Sequence, residues 1–65
     1  MNIIRLTTLN NEIVYINAEY IISLQFQLSY TRVIVMNIPD GYQVYESTEE
    51  IIRRLRLITT INLSY

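Results

Sequence analysis

The sequence predicts an α+β fold, a small curved antiparallel sheet of about five strands followed by one C-terminal helix. Three observations predict it. Short runs rich in β-branched residues follow one another as far as Tyr45, turn-forming residues separate them at Asn10-Asn11 and Pro39-Asp40-Gly41, and at Ser47 the apolar spacing changes from the period of a strand to that of a helix. With 65 residues, the chain is read as a single domain over 1–65.

Ile3 to Thr8 is β-branched and ends at Asn10-Asn11, a pair that tolerates positive φ and suits a tight hairpin, so Glu12 to Asn17 is read as the return strand. Asn17-Ala18-Glu19-Tyr20 interrupts the pattern with residues that favour a turn or short helical corner. The third strand carries the clearest signal, because Ile22, Leu24, Phe26 and Leu28 alternate with Ser23, Gln25, Gln27 and Ser29. That alternation predicts a buried face of Ile22, Leu24, Phe26 and Leu28, joined by Val33 and Val35 and closed by Ile51, Ile52 and Leu55 of the helix. Tyr30-Thr31 connects to a fourth strand, Arg32 to Met36, both of whose faces look partly covered. Pro39-Asp40-Gly41 then turns the chain, with Pro presetting φ, Asp bonding its own backbone and Gly accepting positive φ. Tyr42 to Tyr45 makes the fifth strand.

Ser47-Thr48-Glu49-Glu50 has the spacing of a capping box, in which the Ser hydroxyl bonds a first-turn amide and Glu50 reaches back to the cap. Ile51, Ile52, Leu55 and Ile58 form one apolar stripe, and Glu49–Arg53 and Glu50–Arg54 are spaced as stabilising ion pairs. Leu57 falls outside the stripe. Beyond it, Thr59, Ile61, Leu63 and Tyr65 alternate again, which reads as a short extra strand at the C-terminus or as a frayed tail.

Composition excludes most chemistry. The absence of His and Cys removes the usual zinc and iron ligands, Ser-His and Cys-His nucleophile pairs and disulfides, and a single glycine cannot build a phosphate-cradling loop. Asp40 has no second carboxylate near it in sequence, and Glu49-Glu50 suit the start of a helix better than acid/base work. The residues therefore predict no catalytic, cofactor-binding or metal site, and no enzyme. Arg53, Arg54 and Arg56 invite a nucleic-acid reading, but the net charge of −1 and the neighbouring Glu residues point to a solvated helix face. No apolar run approaches the roughly 20 residues of a membrane span, and the start lacks the apolar stretch of a signal peptide, so a cytoplasmic location is expected.

A domain of this size buries only about 60% of the surface its unfolded chain exposes. Yet Ile, Leu and Val alone supply 23 of the 65 residues. The excess predicts self-association, with a dimer as first choice and Leu57, Ile61, Leu63 and Tyr65 as candidate contacts.

Three segments together resemble one small family. Leu6-Thr7-Thr8-Leu9-Asn10-Asn11 is similar to the Leu-Thr-x-Leu-Asn-Gly opening of the short FlbD-type flagellar, or swarming motility, proteins, with Asn11 in place of Gly. Val14 to Ile21 resembles the family's second segment, an apolar strand followed by Asn-x-x-x-Ile, and Tyr42 to Ile52 resembles its closing strand and helix start. The middle turn departs from the family pattern, with Leu28-Ser29-Tyr30-Thr31 where Thr-Pro-Asp-Thr is usual, and the family's basic residues are mostly missing. The resemblance implies a non-enzymatic accessory of motility with a protein partner. A fainter likeness runs from Ile13–Ala18 and Gly41–Val44 to the LytTR DNA-binding domain, which is longer, and it supplies the alternative of a small nucleic-acid-binding regulator.

Overall fold

The computed structural model describes the backbone of residues 2–63 and the side chains of residues 2–58. Five strands and one helix follow in the predicted order: β1 (Ile3–Thr7), β2 (Ile13–Asn17), β3 (Ile21–Phe26), β4 (Thr31–Val35), β5 (Tyr42–Val44) and α1 (Thr48–Leu63). The strands form two antiparallel sheets, β1-β2 and β3-β4-β5. They join at one corner, where Thr8 bridges Val44, Tyr45 N–H donates to the Thr7 carbonyl at 2.9 Å and Leu9 N–H to that of Gln43 at 3.1 Å.

The turns obey the residues that make them. Asn11 takes φ 64° and its N–H returns to the Thr8 carbonyl at 2.9 Å, closing the β1–β2 hairpin. Asn17 caps a single 3₁₀ turn over Ala18–Tyr20, its Oδ1 accepting from Glu19 N–H at 3.0 Å. Two tight turns follow β4 in succession, Ile38 N–H donating to Val35 at 3.1 Å and Gly41 N–H to Ile38 at 3.2 Å, with Asn37 and Asp40 both at positive φ. At Gly41, φ is 64° and an added Cβ would stand 2.1 Å from the Val33 carbonyl oxygen, so only glycine lets β5 leave this turn against β4.

The core comprises Ile4 and Leu6 of β1, Ile16 of β2, Val33 and Val35 of β4, Val44 of β5 and Ile51 of α1, with Val14, Ile21, Leu24, Tyr42 and Leu55 packed around it. Val33, Val35, Ile51, Leu24 and Leu55 thus lie on or against the expected buried face, and Ile52 is half-buried. Ile22, Phe26 and Leu28 do not: they are 64%, 75% and 97% exposed. A bulge explains the first. Ile21 pairs with Val35 but Ser23 with Ile34, so Ile22 is the extra residue, and Ile21 rather than Ile22 meets the core. Phe26 ends the strand beyond the core, opposite Thr31, and Leu28 lies in the following turn.

Helix α1 starts as its cap dictates, with Ser47 Oγ accepting from Glu50 N–H at 3.1 Å. The Glu50 carboxylate does not reach back to complete the capping box. Its two oxygens instead take Arg53 at 2.8 Å and Arg54 at 3.0 Å, so Arg53 pairs with Glu50 and not with the expected Glu49. The helix continues to Leu63, through residues whose alternation from Thr59 reads as a short extra strand or a frayed tail. Neither Gly nor Pro interrupts residues 48–63, and the helix-propensity deficit of Thr or Ile is only a few tenths of a kcal/mol, too little to stop a helix already capped and packed.

Candidate functional site

Three of the four expected contact residues, Leu57, Ile61 and Leu63, fall in the C-terminal half of α1. Leu57 is 62% exposed. Ile61 and Leu63 belong to the helix backbone, while their side chains and the whole of Tyr65 lie outside the described residues.

A polar knot that sequence reasoning missed fastens α1 to the sheet. The Glu46 carboxylate, 14% exposed, accepts from Thr7 N–H at 2.9 and 3.1 Å and from the Thr7 hydroxyl at 3.1 Å. Arg54 Nη1 stands 3.8 Å from it and donates to the Arg5 carbonyl at 2.6 Å. One carboxylate therefore ties the last residue of β1 to the segment that enters the helix, and the guanidinium holds the other side of that junction. Thr31 and Thr48, whose hydroxyls are 3.3 Å apart, tie β4 to the helix start in the same way. The only sequence signal for this knot is a Glu between a strand and a helix cap, with no hint of its partner 39 residues away.

A hollow of about 720 Å³ lies between the β1–β2 hairpin and the β4–β5 turns, lined in part by Thr8, Glu12, Arg32, Asp40 and Tyr42. Arg32 is committed there, donating from Nη1 to the Asp40 carbonyl at 2.8 Å. A second, smaller hollow of about 180 Å³ lies at the tip of the β3–β4 hairpin, between Phe26, Leu28 and Tyr45. Tyr45 Oη donates to the Leu9 carbonyl at 3.1 Å, which fixes its ring across the corner of the two sheets. Among the described residues, no three His, Cys, Asp or Glu side chains converge, and no helix is long and apolar enough to cross a membrane.

What the surface does present is hydrocarbon. Eleven large apolar side chains among the described residues are exposed, among them Ile13, Tyr15, Tyr20, Phe26, Leu28 and Leu57, against seven buried in the core. No protein-family model matches the chain, and no curated protein or solved structure is significantly similar to it.

Proposed function

We propose that this chain is a non-enzymatic protein-interaction module that works as a homo-oligomer, a dimer in the first instance. The observation that carries the reading is the surplus of large apolar side chains left on the surface by so small a core. Leu57 and the tail residues Ile61, Leu63 and Tyr65 remain the contacts proposed at the helix end. The cellular role is proposed from resemblance, as an accessory of flagellar motility like the short FlbD-type proteins, acting in the cytoplasm on a protein partner. The segments that carry that resemblance include the β1–β2 hairpin, the 3₁₀ corner and the β5–α1 junction, which are structural joints.

The alternative, a small LytTR-like nucleic-acid binder, has less to support it. Two of the three clustered arginines, Arg53 and Arg54, are held by Glu50, and Arg54 also binds the Arg5 carbonyl. Light scattering on the full chain at high micromolar concentration tests the first reading: a dimer or larger assembly is expected, and a monomer overturns it. A salt-dependent mobility shift of DNA or RNA would favour the alternative, because phosphate contacts release counterions. Flagellar or motor genes beside this one would support the motility role, and response-regulator genes the alternative.

A further inference from the structure

We infer that two copies of this chain pair edge to edge through β3, antiparallel about a twofold axis at Phe26. The inference rests on the self-association proposed above and gives it a surface distinct from Leu57. β3 is the edge of the three-stranded sheet, with β4 on one side and no described strand on the other. Such an edge offers unpaired backbone donors and acceptors to another strand, and proteins commonly blunt it with charge or proline. From Tyr20 to Thr31 there is no charged residue, no Pro and no Gly. The bulge between Ile21 and Ser23 is the one protective device, and it lies at the start of the strand.

The occupant follows from the residue order. Ser23-Leu24-Gln25-Phe26-Gln27-Leu28-Ser29 reads the same in both directions. Antiparallel pairing about Phe26 therefore sets Phe26 against Phe26 of the second copy, Gln25 against Gln27 and Leu24 against Leu28, identical side-chain types at every position. Twofold pairing of a charged strand would oppose like charges, whereas this neutral one brings none together. The β2 edge, flanked by Glu12 and Glu19, would bring those two carboxylates near each other across the axis in the same arrangement. Leu24 is half-buried while Phe26 and Leu28 are 75% and 97% exposed, so each copy supplies the apolar cover that the other lacks. Backbone pairing spans Gln25 to Gln27, the stretch symmetric about Phe26, and Leu24 meets Leu28 of the second copy through side chains alone, Leu28 reaching out from the turn that Gln27 N–H closes on the Tyr30 carbonyl at 3.0 Å. The result is a continuous sheet of six strands, in the order β5-β4-β3-β3-β4-β5.

Only a residue at or near a twofold axis cross-links readily to its own copy, and the chain contains no cysteine. Full-length Phe26→Cys is expected to form a disulfide-linked dimer under mild oxidation, while Tyr15→Cys on β2 stays monomeric on a non-reducing gel. Phe26→Glu and Phe26→Lys, each checked for retained helix content by circular dichroism, are each expected to lose the dimer in light scattering, and an equimolar mixture of the two to regain it. A dimer that persists in Phe26→Glu, or cross-linking at Leu57→Cys with none at Phe26→Cys, overturns the β3 pairing and leaves self-association standing. A monomeric wild-type chain overturns both.

Discussion

A methyl group added at Gly41 would meet the Val33 carbonyl oxygen at 2.1 Å, on a residue already at φ 64°. Gly41→Ala is therefore expected to destabilise the fold by about 1 to 3 kcal/mol or more, seen as a lower urea midpoint, because both the steric contact and the backbone conformation oppose it. Glu46 is the polar residue with most at stake. Replacing it by Ala strands the Thr7 N–H and hydroxyl at a partly buried junction, a loss of about 1 to 3 kcal/mol. Glu46→Gln keeps an acceptor oxygen and should lose less, and Glu19→Ala, on the exposed 3₁₀ turn, should stay within about 0.5 kcal/mol of wild type in the same denaturation series.

Among the elements, α1 depends on its first turn more than on its ion pairs. Ser47→Ala removes the acceptor for Glu50 N–H and should cost about 1 kcal/mol, whereas Arg53→Ala breaks an exposed pair worth a few tenths. β3 behaves unlike the core strand that its alternation suggests. Because Phe26 is largely exposed, Phe26→Ala should cost under about 1 kcal/mol in thermal melts at concentrations where the chain is monomeric, while Leu6→Ala, fully buried in β1, should cost about 2 to 5 kcal/mol. A Phe26→Ala variant that melts as low as Leu6→Ala would return Phe26 to the core.

At the scale of the molecule, the seven apolar side chains buried among the described residues are a small core, and stability leans on anything that binds the folded state. If folding and pairing are coupled, the melting temperature should rise with protein concentration. A melting temperature constant over a hundredfold dilution through the light-scattering transition would separate stability from association. Leu6→Ala, which removes a large share of a marginal total, is expected to melt below the wild type throughout that series, and lowest at the lowest concentrations.

The order of five strands and one helix, the Asn10-Asn11 hairpin, the corner after Asn17, the Pro39-Asp40-Gly41 turn and the Ser47 cap were legible in the sequence. Each rests on residues within a few positions of one another, where φ preferences and local hydrogen bonds act. The inward face of β3 was not, since a single bulge moves the count by one, and strand alternation cannot show where a core ends. Nor could local pattern reveal that Ile4, Leu6, Ile16 and Val44 supply so much of the core, or that Glu46 reaches Thr7. Short-range conformational preference was enough to place the element types and their joints as far as Ile58, but not to tell that the helix runs on through Thr59 and Thr60 to Leu63. Which apolar side chains are buried and which stay exposed follows from the assembled fold alone, because burial depends on how distant strands share one small interior.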